Sequence, residues 1–520
     1  MATEPPEIAA SRARGGLAAR LDRLIDALAD PARRGRAVPV LLGVYVLVWT
    51  LYAAIAKGSQ DIHFDMAEAV VWWREAPFGT PKHPPLSGWL AGLWFAVFPR
   101  QDWAFYLLAM ACVGVALWFA WRLMLTSLTG DKLAVGLAML TLVPFFNFQA
   151  LKYNANSVMI PLWAFATWAF LRSFQTRTVG WAALAGAAAA LAMLGKYWGV
   201  FLIAGFGAAA LIDARRAAYV RSPAPWVSIA AGFLVLAPHL AWVAANGFET
   251  FGYALASHRR PFHEALTAAP EYLTGAAAYV ILPILIVVFA ARVANGGVRD
   301  MLWPRDPDRR LALVVFAVPL VLPVAVAIAT RSEAVSLWAM GSMTLLPVVL
   351  LSSPLVAVPR PAARRTVAFA IAFPLLALVA APVAAIVIHR QGLENHMAHY
   401  RLLAREAERA WHAAASTAPL RLVGGEDHII NGVAFYATTM PATYDVLRPQ
   451  VTPWTDAARI ARDGIVWICP QAQRPCVAAI EAEAARRPAS RRTELTVARD
   501  YLGSRGKPER YLLIAVPPGR

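Results

Sequence analysis

The stretch LALVVFAVPLVLPVAVAIAT, residues 311–330, carries no charged side chain. A helix needs about 20 consecutive apolar residues to cross the hydrocarbon core of a bilayer, so this stretch predicts a membrane span. Comparable charge-free blocks lie at residues 38–56, 103–121, 133–151, 155–171, 222–246, 272–291, 334–359 and 366–389. The chain is therefore predicted to be an all-α polytopic membrane protein.

One further block, residues 178–212, contains a single charge, Lys196, near its middle. Its length is too great for one crossing and just enough for two, since a span takes about 17–25 residues. Both ends are basic, with Arg177 before the block and Arg215 after it. An even number of crossings places both ends on one side, and the total becomes about eleven spans.

The composition excludes other classes of protein. Of the 520 residues, 59% are hydrophobic and 16% charged, whereas soluble domains are about 45–50% apolar and about 25% charged. The net charge of +17 is typical either of nucleic-acid binding or of basic cytoplasmic loops. The span map favours the loops, so no nucleic-acid partner is expected. Three cysteines exclude a disulfide framework and a cysteine-rich metal site.

The basic residues also predict the orientation. Arginines are dense before the first span and in every second loop, and cytoplasmic loops carry the excess of Lys and Arg. We therefore expect a cytoplasmic segment at 1–37, a transmembrane domain at 38–389 with a large first external loop at 57–102, and a periplasmic domain at 390–520. The membrane is expected to be the bacterial inner membrane.

The periplasmic tail has an ordinary composition and alternates short apolar runs with polar turns. Residues 421–424, 464–468 and 510–516 read as strands, and residues 476–486 as a helix. The tail is therefore predicted to be a small α/β domain. Cys469 and Cys476 are either joined in a disulfide, which persists outside the cytosol, or free and buried.

The first external loop gathers polar side chains next to the membrane. Asp65 and Glu68 share one face if residues 64–74 are helical, and Lys82 and His83 precede a pair of prolines. Residues 87–98 are aromatic, too short to span, and expected to lie flat at the headgroups. The carboxylates are either catalytic or a solvated helix face. His83 is either a site residue or part of a rigid turn.

Other candidates lie on the same external face. They are Lys152, Asn154 and Asn156 in the second turn, Lys196 and Tyr197 in the third, His258, Arg259, Arg260 and His263 in the segment 256–264, and Arg331. A lone ammonium such as that of Lys196 either faces a phosphate or snorkels to the headgroups. The segment 256–264 is either a phosphate or acceptor contact or a solvated loop. Arg331 is expected to pair with Glu333, and His239 to be a packing histidine.

These residues resemble a known family. Asp65-x-x-Glu68-Ala69, a tryptophan-rich stretch and Lys82-His83-Pro84-Pro85-Leu86 are similar to the first external loop of bacterial glycosyltransferase family 39. This family of protein-mannosyltransferase-like proteins includes the lipid A aminoarabinose transferases and has the GT-C fold. The segments 152–156 and 195–197 extend the resemblance, as does the plan of many spans before a small external domain.

The resemblance implies transfer of a sugar from a polyprenyl-phosphate donor to lipid A, a polysaccharide or a protein at the outer face of the inner membrane. It implies that Asp65 is the general base, that Glu68 assists it, and that Lys82 and His83 lie near the carrier phosphate. Lys152, Lys196, Tyr197, Arg259 and Arg260 are expected to contact the phosphate or carrier. Asn154, Asn156, His258, His263 and Arg331 are expected to contact substrate.

One departure from the family is that Asn156 stands where many members have an aspartate in the second external turn. Glu68 is then the expected second carboxylate. No obligatory cofactor is predicted, because no closed set of metal ligands is visible, although His63 with Asp65, or His258 with His263, would supply two ligands to a divalent ion.

Two other functions compete with glycosyl transfer. One is a transporter or flippase of a lipid-linked molecule, which usually carries ionisable groups at mid-membrane depth. The other is a non-catalytic assembly protein. The nearly charge-free spans and the polar groups gathered at one face argue for interfacial chemistry.

Overall fold

A computed structural model describes residues 6–415, 418–487 and 489–519, without the side chains of residues 6–15 and 254–257. Residues 1–5 of the predicted cytoplasmic segment lie outside the described residues. The α-helices are α1 (Pro6–Ala29), α2 (Arg34–Ala56), α3 (Phe64–Glu75), α4 (Leu86–Val97), α5 (Asp102–Met124), α6 (Asp131–Thr141), α7 (Ala155–Thr176), α8 (Val179–Gly195), α9 (Gly199–Ile212), α10 (Arg216–Val220), α11 (Ala224–Ala245), α12 (Glu249–His258), α13 (Phe262–Tyr279), α14 (Ile281–Ala290), α15 (Gly297–Leu302), α16 (Pro307–Thr330), α17 (Leu346–Leu351), α18 (Arg360–Gln391), α19 (Tyr400–Ala415), α20 (Asp427–Tyr436), α21 (Ala457–Asp463) and α22 (Arg474–Ala485).

Shorter elements complete the chain. The 3-10 helices are Pro144–Phe146, Phe148–Leu151, Ser336–Leu345, Asn395–Ala398 and Pro449–Val451. The strands are β1 (Arg292–Val293), β2 (Val356–Ala357), β3 (Leu422–Gly425), β4 (Ala442–Asp445), β5 (Ile465–Pro470), β6 (Arg491–Val497), β7 (Asp500–Tyr501), β8 (Ser504–Arg505) and β9 (Glu509–Val516).

The predicted spans coincide with apolar helices. In the described part of the chain, six helices are long and apolar enough to cross a membrane, namely α2, α5, α7, α11, α16 and α18. Two bent pairs, α6 with 144–151 and α13 with α14, bring the number to at most eight. The prediction of about eleven spans also counts α8, α9 and Ser336–Leu351, which are shorter apolar helices. These helices are those of a multi-pass membrane protein.

Prolines account for the two bends. The chain turns by 80° after α6, where Pro144 starts a 3-10 helix, and by 53° between α13 and α14. A proline residue lacks a backbone N–H, and its ring clashes with the carbonyl group four residues earlier. For Pro283, that carbonyl group belongs to the last residue of α13, so the helix is interrupted there. The first bend delivers Lys152 to the start of α7, next to the first loop.

The first loop is ordered around two packed helices. Residues 64–74 were predicted to be helical, and α3 covers them. The His63 side chain caps α3, because its Nδ1 accepts a 3.1 Å hydrogen bond from the backbone N–H of Asp65. On α4, Gly88 and Gly92 let the two helices approach, since a Cβ at either position would press on Trp73.

The C-terminal part is the predicted small α/β domain. Its sheet has the order β4-β3-β5-β9-β6, in which β3 is parallel to β4 and β5, and β9 is antiparallel to β5 and β6. Apolar side chains of α19 and α20 pack on one face, and those of α22 on the other. A disulfide joins Cys469 at the end of β5 to Cys476 in α22.

This domain docks on the first loop through buried charges. Asp61 is 2% exposed, and its Oδ1 accepts a 2.6 Å hydrogen bond from Arg499. Its Oδ2 accepts from the backbone N–H of Arg401 at 2.9 Å. Removing one partner of a buried ion pair is costly, because it leaves the other charge unpaired. The tail and the first loop therefore form one continuous structure.

Candidate functional site

A cleft of about 400 Å³, called here the main cleft, opens between the first loop, the start of α7, the turn between α8 and α9, and α12. It brings together most of the residues predicted from the sequence. The polar and charged lining residues are Asp65, Glu68, Lys82, His83, Ser87, Lys152, Asn154, Asn156, Lys196, Tyr197, Tyr253 and His258. The aromatic and large apolar ones are Trp72, Trp198, Leu337 and Trp338.

Asp65 lies beside two hydrogen-bond donors and the ring of His63. Its Oδ2 lies 3.1 Å from Nζ of Lys152 and 3.3 Å from Nδ2 of Asn154. Its Oδ1 lies 3.6 Å from Nδ1 of His63. Burial raises the pKa of Asp65, but Lys152, His63 and Asn154 together lower it below the ordinary value. The Asp65 carboxylate is therefore ionised at neutral pH and available to accept a proton.

Glu68 lies one helical turn further along α3 and is bound to Lys82. The Lys82 Nζ lies 2.6 Å from Oε1 of Glu68 and 2.6 Å from Oδ2 of Asp427, which comes from the C-terminal domain. Burial raises the pKa of Glu68 to about 7. The charge of Asp427 also raises this pKa, whereas the charge of Lys82 lowers it. Burial lowers the pKa of Lys82, but the two carboxylates together raise it above the ordinary value, so Lys82 stays charged.

The turn at residues 80–83 fixes Lys82 and His83. Oγ1 of Thr80 accepts hydrogen bonds from the backbone N–H of Lys82 at 3.1 Å and of His83 at 2.9 Å. The His83 ring packs on Trp72, with the centroids 5.6 Å apart. Burial lowers the pKa of His83 to about 3, and Lys196 contributes to the shift. His83 is therefore neutral and able both to donate and to accept a hydrogen bond.

Lys196 lies in the turn between α8 and α9. Its Nζ donates a 2.9 Å hydrogen bond to Oδ1 of Asn156 and lies 4.3 Å from the centre of the Trp338 ring. Burial lowers the pKa of Lys196 to about 7, against the attraction of Asp65. A partly desolvated ammonium held by an amide and an aromatic ring is suited to receive an anionic ligand.

Tyr197 is held in place from behind the cleft. Its hydroxyl lies 2.8 Å from Nε2 of His239, whose Nδ1 lies 2.7 Å from the carbonyl oxygen of Phe78. His239 is buried, and both of its ring nitrogens contact a partner. It is therefore a packing histidine, as the sequence suggested, and it orients the Tyr197 side chain.

A second cavity of about 270 Å³ adjoins the main cleft. Lys152, Asn154, Asn156 and Leu337 line both spaces. The remaining polar lining residues of the second cavity are Lys57, Gln60, Asp61, His63, Tyr106, Gln149, Ser157 and Glu394. Asp65, which lines the main cleft and contacts Lys152 and Asn154, therefore lies at the partition between the two spaces.

Four predicted residues are absent from the lining of the main cleft: Arg259, Arg260, His263 and Arg331. The His263 side chain is 82% exposed. The expected pair of Arg331 with Glu333 is wrong, because Glu333 contacts Arg260 at 2.6 Å. An antiparallel bridge between residues 259 and 332 sets this register. The three arginines are exposed.

Asp427 is the charged site residue that the sequence did not reveal. It lies 345 positions from Lys82 along the chain, and nothing in its local sequence distinguishes it from an ordinary helix-start aspartate. Tyr253 and Trp338 were also missed, because aromatic residues are common throughout this chain. Because Lys82 already has a carboxylate partner in its own loop, Glu68, nothing in the sequence required a second, distant carboxylate.

One group of candidate metal ligands lies beside the cleft. Among the described residues, Glu426, Asp427 and His428 place a ligand atom each within 4.8 Å of one another. Oδ2 of Asp427 already contacts Lys82 at 2.6 Å and Arg448 at 2.7 Å. Two positive charges at this distance oppose the binding of a cation, so the group is better described as part of an ion-pair network.

Comparisons with known proteins agree with the sequence analysis. The family model described as dolichyl-phosphate-mannose-protein mannosyltransferase matches residues 82–242, which include Lys82, Lys152 and Lys196. A search of curated protein sequences finds no match. The family-model match supports the resemblance first noted in the external loop.

Two solved structures share the fold. They are ArnT from Cupriavidus metallidurans in the apo state, with a TM-score of 0.59, and the same protein bound to undecaprenyl phosphate, with a TM-score of 0.58. Each match has 12% sequence identity and covers 91% of this chain and 97% of the other. The predicted GT-C-like fold with a small C-terminal α/β domain is thereby confirmed.

Proposed function

We propose that the protein is an integral membrane glycosyltransferase that moves a sugar from a polyprenyl-phosphate donor to an acceptor hydroxyl. One observation carries the proposal. An ionised carboxylate, Asp65, lies 3.1 Å from an ammonium at the partition of two cavities, and the same cleft holds Lys82 and Lys196. Such an arrangement supplies a base for one reactant and positive charge for the leaving group of the other.

The reaction is a displacement at the anomeric carbon. The acceptor oxygen forms the new bond to this carbon while its proton passes to the Asp65 carboxylate. The bond from the anomeric carbon to the phosphate oxygen breaks, and its electron pair leaves with the polyprenyl phosphate. Lys82, Lys196 and Lys152 balance the negative charge that the phosphate gains. His83 is placed to hydrogen-bond the phosphate or the sugar, and Tyr197, whose hydroxyl is held by His239, contributes its ring to the cleft wall.

Glu68 supports this chemistry by holding Lys82 in position. Its carboxylate holds Lys82 at 2.6 Å, which fixes the ammonium at the wall of the cleft. Its pKa near 7 lies close to the operating pH, the condition under which a carboxyl group exchanges protons efficiently. Glu68 therefore orients Lys82 and stands close enough to Asp65 on α3 to influence its protonation.

The partners are those expected from the resemblance. The family-model match and the fold shared with a protein crystallised with undecaprenyl phosphate support a polyprenyl-phosphate sugar as donor. The acceptor is lipid A, a polysaccharide or a protein. The protein is expected in the bacterial inner membrane, surrounded by its lipids, with the main cleft and the C-terminal domain on the periplasmic side.

The proposal is tested with the full-length protein reconstituted in liposomes containing a radiolabelled polyprenyl-phosphate sugar and total bacterial membrane lipid. Label that moves from the carrier to a second molecule supports glycosyl transfer. Label that stays on the carrier but changes leaflet would instead establish the flippase alternative.

A further inference from the structure

We propose that Asp427 of the C-terminal domain is a positioning residue of the main cleft, which holds the Lys82 ammonium between two carboxylates from two different parts of the chain. This inference rests on the proposed function, because Lys82 matters to turnover only if the cleft transfers a sugar from a phosphate. It gives the C-terminal domain a direct part in the site, in addition to any contact that this domain makes with the acceptor.

The geometry of Lys82 is symmetrical. Its Nζ lies 2.6 Å from Glu68 and 2.6 Å from Asp427. The exposed fractions of the three side chains are 10% for Lys82, 10% for Glu68 and 3% for Asp427. A flexible lysine side chain with one partner would sample several rotamers, whereas two buried partners restrict it to one. The ammonium is therefore placed before any ligand arrives.

Asp427 is itself held firmly by the fold of the tail. It is the first residue of α20, just after β3, at the edge where the parallel strands β3, β4 and β5 end. Gly425 makes this turn with a φ of +148°, and a Cβ there would overlap the carbonyl oxygen of Ile468. The helix α20 then packs its apolar side chains in the same core as Val71 of α3, which sets the tail against the first loop.

A second basic residue anchors the Asp427 carboxylate from the side of the tail. Arg448 lies 2.7 Å from Oδ2 of Asp427 and 3.3 Å from Oδ2 of Asp445. Asp427 is thus bound by one cation from its own domain and one from the first loop. Because Asp445 holds the arginine that anchors Asp427, it is not an independent control. Glu483 of α22 pairs with the two arginines at 486 and 487, which contact neither Asp427 nor the first loop among the described residues. Glu483 is therefore the control carboxylate of the tail.

The position of Asp427 also has an electrostatic consequence for Glu68. The charged groups that act on Glu68 are Lys82 from the turn at 80–83, Asp427 from α20 and Asp65 from its own helix. Asp427 and Asp65 oppose ionisation of Glu68, and Lys82 favours it. Removal of the Asp427 charge should therefore lower the pKa of Glu68, so that Glu68 stays ionised to a lower pH.

The test compares Asp427→Asn, Asp427→Glu and the control Glu483→Gln with the wild type, all full length in liposomes with a polyprenyl-phosphate sugar. We expect Asp427→Asn to lower kcat/KM about tenfold through misplacement of Lys82 and to move the acid limb of the pH profile to lower pH. Asp427→Glu should restore most of the activity. Glu483→Gln should keep the wild-type pH profile.

A second readout does not depend on turnover. Acylation of Lys82 by acetic anhydride, resolved by mass spectrometry, should be several times faster in Asp427→Asn than in the wild type or Glu483→Gln, because the lysine loses one of two carboxylates. Unchanged kinetics, pH profile and acylation rate in Asp427→Asn would overturn the inference. So would equal changes in Asp427→Asn and Glu483→Gln that track a loss of melting temperature. Faster acylation with no transfer by the wild type would keep the positioning role and reject the proposed function.

Discussion

Lys196 donates a 2.9 Å hydrogen bond from Nζ to Oδ1 of Asn156. The resemblance places an aspartate at the position of Asn156 in many members of the family. Here the partner is neutral, and burial lowers the pKa of Lys196 to about 7. An ammonium is charged below its pKa, so Lys196 loses its charge as the pH rises through neutrality.

We therefore predict that Asn156→Asp raises the pKa of Lys196, because a carboxylate beside an ammonium favours the charged form. If Lys196 must be charged to stabilise the leaving phosphate, the alkaline limb of kcat/KM should move to higher pH in this variant. Transfer measured between pH 6 and 9 checks the shift. In Lys196→Met the limb should be absent and activity low throughout. An alkaline limb at the same pH in Asn156→Asp and the wild type would show that another group sets it.

The packing of α8 on α11 gives a prediction about stability. A Cβ placed on Gly186 would overlap the backbone carbonyl oxygen of Ser228, whereas one placed on Gly180, in the same helix, would meet no atom within 4 Å. Gly186→Ala must therefore separate the two helices, at a cost of about 1–3 kcal/mol for overpacking. Gly180→Ala should be neutral or slightly stabilising, because alanine is the better helix former by about 0.8–1.0 kcal/mol.

Thermal unfolding of the two variants in the same detergent measures this difference. Gly186→Ala should melt at a lower temperature than the wild type and Gly180→Ala at the same or a higher one. Equal melting temperatures for both would mean that α8 and α11 do not approach as closely as described.

The predicted orientation is checked by cysteine labelling on intact spheroplasts. Ala458, in α21 of the tail, and Ala32, between α1 and α2, are both exposed. The excess of basic residues on the N-terminal side predicts that Ala458→Cys reacts with a membrane-impermeant maleimide and that Ala32→Cys reacts only after permeabilisation. Cys112 is buried and Cys469 and Cys476 are joined, so the native background should be low. Labelling of both positions from outside would reject an odd number of crossings.

Much of the fold was predictable because the determinants are local. Apolar runs indicated helices, and alternation in the tail indicated the strands that became β3, β5 and β9. The first loop was predictable for the same reason, since Asp65 and Glu68 share a helix. The bends after α6 and α13 were not predicted, although Pro144 and Pro283 mark them.

The parts of the site that could not be predicted depend on contacts between distant segments. Asp427 approaches Lys82 only because α20 packs on α3, and nothing in either segment specifies the other. Glu333 contacts Arg260 rather than Arg331 because a bridge between two loops sets the register. Charge alone predicts that a buried ion needs a partner, but only the tertiary structure says which one.

The central claim is that the protein transfers a sugar and that Asp65 is the base. The most direct measurement is transfer of radiolabelled sugar from a polyprenyl-phosphate donor by the wild type, Asp65→Asn and the control Glu271→Gln, an exposed residue of α13 outside both cavities. Binding of the donor lipid and melting temperature should be matched among the three.

We predict that Asp65→Asn loses at least about a hundredfold in rate, as expected for a general base, while Glu271→Gln keeps the wild-type rate. Equal transfer by the wild type and Asp65→Asn would contradict the assignment of the base, and no transfer by the wild type with donor bound would contradict the function itself.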